Sequence, residues 1–282
     1  MKKVIVFGAT ESARKLYNEI SKEYKIIYLC DNDKTKWGNK IDDIEIISPK
    51  EMCECEYDYI AIVSISAMDV IKKQLIELGI DERKIITRYV EHMVKSRECF
   101  LKNFSQMVYS APEKYQGSVA EAGVFQGEFA KHINAFFPDR KLFLFDTFEG
   151  FDKKDIDLEK QYKFSDAKEK HLNITSVEMV LSKMKYLDQV VIKKGYFPDT
   201  AKDIDEKFVF VNLDMDLYKP TLEGLRFFWP KMVKGGIILI HDFFSTEYAG
   251  VNKAIELFVR ETPEADNKFF PIGDDISIAI IK

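Results

Sequence analysis

Short apolar runs recur along the chain, separated by stretches whose apolar residues fall three and four apart. The runs have the length and β-branched or aromatic character of buried strands, and the intervening spacing is that of amphipathic helices. In the first part, strands are predicted at residues 3–7, 25–29, 44–47, 57–63 and 84–86. Leu16, Tyr17 and Ile20 mark one helix, and Val70, Ile71, Gln74, Leu75 and Leu78 mark another that Gly79 stops. Ser48-Pro49 opens a short helix near residues 50–52. In the second part, strands are predicted at residues 118–124, 142–145, 189–193, 208–213, 237–240, 269–272 and 277–281. Helices are predicted through Phe129, Ile133, Phe136 and Phe137, through Val177–Met184, through Leu222–Trp229 and through Val251–Val259. Such alternation predicts mostly parallel sheets with helices on both faces, in two doubly wound α/β domains.

The pattern also shows where the sheets stop. Residues 89–115 are charged but carry Val90, Met93, Val94, Phe100, Leu101, Phe104 and Val108 at helical intervals. They read as a helical lead-in to the second domain, so the expected domains are 1–88 and 89–282. Residues 152–171 are strongly polar and too long for an ordinary connection, which predicts a mobile lid. Gly235-Gly236 is expected to turn the chain before a strand at 237–240.

Composition narrows the function class. The chain has 282 residues and a net charge of −5, which gives no reason to expect nucleic acid or an anionic membrane as partner. No apolar run approaches the roughly 18 residues of a membrane span. The apolar part of the N-terminus is too short for a secretory signal. Cys30, Cys53, Cys55 and Cys99 show neither metal spacing nor a disulfide framework, which fits reduced thiols in a cytoplasmic protein.

Candidate chemistry gathers at predicted strand ends. Glu121-Ala122-Gly123 and Gly127 form a strand-to-helix turn, and Asp146 ends the next strand. Glycines there let a ligand approach a helix N-terminus, and an acid at the second strand tip can accept two ribose hydroxyls. The acid at Glu121 would repel a pyrophosphate and welcome a sulfonium or an α-amino group. The turn therefore favours S-adenosylmethionine over a dinucleotide. Asp214, His241 and Asp242 stand at the ends of two further strands, where ligands bind in such sheets.

The first domain opens the same way, with Gly8, Thr10 and Ala13 where a dinucleotide fingerprint has glycine-like residues. Thr10 departs from it at the position that lets backbone approach a pyrophosphate. Asp31 follows the second strand. The domain resembles the small Rossmann-like domain that accompanies bacterial sugar-modifying transferases. The resemblance rests on the Gly8 turn, Asp31-Asn32-Asp33 with Trp37-Gly38, and Ile47-Ser48-Pro49. A structural role and nucleotide-sugar binding are both open to it.

The second half resembles the macrocin O-methyltransferase family of class I S-adenosylmethionine-dependent methyltransferases. The carriers are Glu121-Ala122-Gly123-Val124 with Gly127, Asp146-Thr147-Phe148-Glu149-Gly150 and Gly195-Tyr196-Phe197. Asp214-Met215-Asp216-Leu217-Tyr218 with Thr221, then Gly235-Gly236 and Asp242, complete the set. The resemblance implies a seven-stranded, mostly parallel sheet and methylation of a sugar hydroxyl with a divalent metal, magnesium or manganese. It implies cofactor binding by Glu121, Gly123, Gly127, Asp146, Thr147 and Gly195, a metal at Asp214, His241 and Asp242, and catalysis by Asp214 and His241. His241 departs from the family's acid pair, and imidazole is a poor magnesium ligand. The expected partner is a small-molecule sugar acceptor, and the expected assembly a homo-oligomer. The alternatives are a nicotinamide-dependent sugar oxidoreductase or epimerase, and a non-catalytic nucleotide-sugar-binding protein.

Overall fold

The computed structural model describes residues 1–10, 13–65 and 67–282. The chain folds as two compact units, Met1–Lys95 and Ser96–Lys282. The division falls inside one long helix, Arg88–Ser110, whose first turn holds residue 89.

The first unit runs β1 (Lys3–Phe7), α1 (Arg14–Glu23), β2 (Lys25–Cys30), β3 (Lys40–Ile41) and β4 (Ile44–Ile47). It continues α2 (Pro49–Glu54), β5 (Tyr59–Ile62), α3 (Met68–Glu77) and β6 (Ile85–Ile86). The sheet order is β3-β4-β2-β1-β5-β6. All pairs are parallel except β3 with β4, a short hairpin too brief to show a period in the sequence. Val4, Ile5 and Val6 are fully buried, because successive side chains point to opposite faces and both faces are covered. Ser48 and Glu51 cap α2 reciprocally, with Pro49 in its first turn.

In the second unit come the rest of α4 (Arg88–Ser110), β7 (Ser118–Ala122), α5 (Ala130–Phe136), β8 (Leu142–Asp146), α6 (Lys153–Tyr162) and α7 (Val177–Leu181). Then follow β9 (Val190–Lys194), β10 (Phe208–Leu213), α8 (Tyr218–Phe228), β11 (Met232–Ile240), α9 (Ala249–Glu261), β12 (Phe269–Pro271) and β13 (Ile278–Ile281). The seven-stranded sheet has the order β12-β13-β11-β10-β7-β8-β9. Strands β7 to β11 pair in parallel, and β13 runs antiparallel between β11 and β12. The strand order reverses at β7, between β8 and β10, which places the ligand crevice at their carboxyl ends.

Two expectations change. Gly235-Gly236 does not turn the chain, because β11 runs through it from Met232. The register jumps there: Phe208 pairs with Met232, but Phe210 pairs with Ile237. The extra residues of β11 bulge at the glycines, and Gly235 takes up a φ of +79°. Residues 152–171 are not merely a polar loop. They contain α6, whose Asp155, Ile156 and Glu159 are buried. Tyr196 donates its hydroxyl to Asp155 Oδ1 at 2.8 Å, and Glu159 accepts from the Tyr218 amide at 2.8 Å and from Ser165 Oγ at 2.6 Å. Acids take the inward positions, so the hydrophobic pattern fails to show the helix.

Candidate active site

Alternation along the strands builds one polar edge. On one sheet face Val119, Phe210, Ile237 and Leu239 pack into a core with Leu101, Phe104 and Val108 of α4. Two residues further along each strand, the same face carries Glu121, Asn212 and His241, and Asp214 follows Asn212. The register brings them level: Asn212 lies between Glu121 and Leu239, and Leu213 between Ala122 and Ile240. Helix α4 changes in step, because Arg97 lies one turn before Leu101 on the same stripe.

These side chains form a continuous row. Asn212 Nδ2 donates to Glu121 Oε1 at 2.8 Å. Arg97 Nη2 donates to Asn212 Oδ1 at 3.0 Å and to Asp214 Oδ2 at 3.2 Å. His241 Nδ1 lies 3.1 Å from Asp214 Oδ1 and 2.7 Å from Asp242 Oδ2. The Arg97 guanidinium also sits 4.3 Å from the Phe129 ring centre, a cation–π contact. Asp214 and His241 keep 21% and 15% of their side-chain surface exposed, so the row is reachable from solvent.

Charge follows from this packing. Burial lowers the proton affinity of His241, but the Asp214 and Asp242 carboxylates outweigh it and hold its pKa at about 10. Burial works against ionising Asp214, yet His241 and Arg97 hold it below the usual carboxylate range. Burial pushes Glu121 well up, and Asp214 adds to the effect against Asn212 and Arg97. Asp216 is pushed up by burial and then by Asp242 and Asp214, and shares a hydrogen bond with Asp242. Asp216 and Asp242 both adopt positive φ, +58° and +59°, backbone strain of the kind kept at working sites.

The expected residues are thus divided in their surroundings. Asp214, His241 and Asp242 come together, with one ligand atom from each within 4.8 Å of the others. His241 is the group between the two aspartates, while the Lys219 ammonium lies 5.9 Å from the Tyr196 ring centre. Asp146 accepts three backbone amides: Val124 and Phe125 at 2.8 Å on Oδ2, and Phe148 at 2.7 Å on Oδ1. A carboxylate has about four acceptor positions, so one is left for a ligand hydroxyl. Thr147 shapes its own turn, donating to the Gly150 carbonyl at 2.8 Å. Gly123 is glycine because a Cβ there would lie 1.7 Å from the Asp214 carbonyl oxygen. A Cβ on Gly127 would meet Val180 at 3.1 Å, and one on Gly195 would meet Thr200 at 2.9 Å. His171 stacks edge-on with Phe151, 5.8 Å between ring centres.

Sequence reasoning missed Arg97, Asn212 and Asp216 as site residues. Asn212 was the visible signal: an amide inside an otherwise apolar strand, fully buried. Arg97 sits at helical spacing from Leu101 and Phe104, and its charge hid it from a search for apolar stripes.

Two absent groups fit these residues. The set Asp214, His241 and Asp242 offers two hard oxygens and one imidazole nitrogen, a mixture that suits manganese better than magnesium. S-adenosylmethionine carries an adenosine, a sulfonium and an amino acid. Arg97 Nε, Glu121 Oε2 and His241 Nε2 are buried polar atoms without a partner, and Glu121 stands two residues before Gly123.

The comparisons with known proteins agree with this geometry. Residues 1–86 match the model described as C2185-like, N-terminal, and residues 69–270 match that of macrocin-O-methyltransferase (TylF). The chain is 29% identical over 157 residues to the mycinamicin III 3''-O-methyltransferase of Micromonospora griseorubida. That match covers 51% of this chain and 62% of the relative, under two thirds of its length. Among solved structures, the O-methyltransferase NovP superposes with a TM-score of 0.58 at 16% identity, over 77% of this chain and 98% of its own. A calicheamicin methyltransferase does so with a TM-score of 0.54 at 16% identity, over 77% and 91%. Glycine turn, strand-end acids and sheet order are therefore those of a known lineage, and the chain belongs to the macrocin-O-methyltransferase (TylF) family.

Proposed function

We propose that the chain transfers a methyl group from S-adenosylmethionine to a hydroxyl of a sugar, with a divalent cation held by Asp214, His241 and Asp242. The observation that carries this reading is the buried polar row along β7, β10 and β11, level with the glycine turn. Mycinamicin and calicheamicin methyltransferases are among the proteins most like this one, which favours a small glycosylated or nucleotide-linked acceptor.

Asp146 takes the cofactor's ribose through its remaining acceptor position, while its three amide bonds fix its orientation. Asp214 and Asp242 orient the acceptor hydroxyl beside the methyl group, which removes the entropy of bringing two reactants together. A divalent cation between them would polarise that hydroxyl and favour its ionised form. His241 and Asp216 are the neighbouring groups that exchange a proton with the acceptor, since both face Asp242. For His241 to ligate a metal through Nδ1 it must first release the proton that Asp214 and Asp242 hold there.

The test is turnover with S-adenosylmethionine and a panel of nucleotide-linked and free deoxysugars, read by product mass. A product one methylene heavier on a sugar hydroxyl is expected, and its loss on chelation with recovery on manganese addition. Methylation of a non-sugar hydroxyl alone would overturn the acceptor class. Undiminished rates in metal-stripped protein would overturn the metal.

A further inference from the structure

Beyond His241 the sheet continues into β13, and so does its buried polarity. Strand β13 runs antiparallel beside β11, with Leu239 opposite Ala279 and Ile240 opposite Ile278. Leu239 and Ala279 share one core, so both point to the face that carries His241. The next step of this ladder sets Ser277 opposite His241, across the usual strand spacing of about 4.8 Å. The Phe244 amide donates to the Ile276 carbonyl at 3.2 Å, which holds the turn between β12 and β13 against the end of β11. Asp274 belongs to that turn. Its Oδ1 accepts the Ile276 amide at 3.2 Å and the Ser277 amide at 2.8 Å.

His241 Nε2, Asp274 Oδ2 and Ser277 Oγ are all buried without a partner. Asp274 is 0% exposed and Ser277 1%. Capping the turn occupies only one oxygen of Asp274, and an asparagine would cap it without burying a charge. The second oxygen therefore has another use. His241 Nδ1 faces Asp214 and Asp242, so the far nitrogen of the ring must be held from another side. An anion at this corner would be repelled by Asp274, and a cation by the ring N–H. A water molecule accepts from Nε2, donates to Asp274 Oδ2 and bonds to Ser277 Oγ; about three such bonds are what a buried water makes.

We propose that Asp274, with Ser277, holds the Nε2–H of His241 through one buried water and so fixes the ring in the tautomer and orientation that present Nδ1 to the metal. This rests on the metal reading given above. Asp274 is then a positioning residue that acts through His241. A carboxylate in place of His241 would offer two equivalent oxygens, whereas an imidazole must be turned the right way. Asp274 does the turning.

Asp274→Asn is the decisive variant, because its carbonyl oxygen can keep the turn capped while the second oxygen becomes a donor. Manganese titration of the full-length protein should show affinity about tenfold weaker or worse in Asp274→Asn, with a smaller loss in Ser277→Ala. S-adenosylhomocysteine binding and melting temperature should stay as in the unaltered protein. In a His241→Asn background, Asp274→Asn should cost manganese binding nothing more. The second measurement needs no metal. The chain has only four histidines, so nitrogen-15 labelling and comparison with His241→Asn assign the His241 ring protons by magnetic resonance. The Nε2 proton should be protected from exchange with solvent in the unaltered protein and lose that protection in Asp274→Asn. Unchanged protection overturns the proposal. So does an equal manganese loss with and without His241, or a fall in melting temperature that carries S-adenosylhomocysteine binding down with it, which would make Asp274 a turn cap alone. Absence of manganese binding in the unaltered protein would be a failure of the metal reading instead, and the ring proton still decides whether Asp274 holds His241.

Discussion

The two units share a local design and differ in what surrounds it. In the first, Asp31 Oδ2 accepts the Ala9 amide at 2.9 Å; in the second, Asp146 Oδ2 accepts the Val124 amide at 2.8 Å, 22 residues earlier in both cases. Gly8 bonds to the Cys30 carbonyl as Gly123 bonds to that of Phe145. The acid at the second strand tip is thus a clamp on the glycine turn in both. Beyond the clamp the units part. In the first, Lys36 pairs with Asp31 at 2.9 Å, Trp37 Nε1 bonds to the Asp31 carbonyl, and the Asn32 and Gln74 amides exchange two bonds at 2.9 Å. Among its described residues no buried side-chain atom lacks a partner. In the second, Arg97, Glu121 and His241 each keep one along the polar row, and Arg140, Thr200, Asp274 and Ser277 each keep one outside it. A glycine turn with a strand-tip acid is the grammar of a βαβ unit. Three unanswered buried polar atoms along one row of strand-end side chains set the second unit's crevice apart.

The hardest blow to this contrast falls on the acid pair. Asp242→Asn should lower turnover by about a hundredfold or more while S-adenosylhomocysteine binding persists. Steady-state kinetics and calorimetry on one preparation would show the split. Retained turnover would reduce the acid pair to a clamp.

Next comes backbone crowding. Gly123→Ala drives a Cβ into the Asp214 carbonyl, whereas Gly8→Ala meets a Val63 methyl at 3.1 Å, and both glycines have positive φ. Gly123→Ala should cost about 3 kcal/mol and Gly8→Ala visibly less, read by denaturant unfolding. Equal losses would mean the Gly123 contact relaxes easily.

Smaller still is the comparison of the two clamps. Asp146→Ala should weaken S-adenosylhomocysteine binding about tenfold, roughly 1.4 kcal/mol, and Asp31→Ala should leave it unchanged. A matched effect from Asp31→Ala would tie the first unit to cofactor binding.

The gentlest test uses pH. The His241 pKa rises from an ordinary 6.5 to about 10 on folding. Its stabilising contribution is full below pH 6.5 and disappears as pH climbs to about 10. The metal-free protein should therefore lose melting temperature across that window, and His241→Asn should flatten the decline. Manganese affinity should rise over the same window as the imidazole proton leaves.

Much of this architecture was legible in the chain because burial on both faces writes a long apolar run. The β10 strand, Phe208–Leu213, is such a run, and so are β1 and β8. Strand-end acids were legible for the same reason, since the run stops abruptly at Asp146 and Asp214. What stayed hidden had polar groups facing inward. Helix α6 buries Asp155 and Glu159, Arg97 continues an apolar stripe with a charge, and the β11 bulge absorbs two glycines that read as a turn. Asp216 was hidden differently: its importance comes from a left-handed backbone that aims it at Asp242, and residue identity does not reveal a φ angle.

The missing side chain of Gly123 has a mechanical meaning as well. Where it lies against Asp214 the tips of β7 and β10 meet backbone to backbone, with no compressible side chain between them. The Asp214 amide also donates to the Ala122 carbonyl, one residue before the glycine. The joint has almost no play. A shift of the turn would therefore carry with it the peptide that leads into Asp214, Met215 and Asp216. The glycine turn and that strand tip form one rigid joint, and what makes it possible is a hydrogen atom where any other residue would carry carbon.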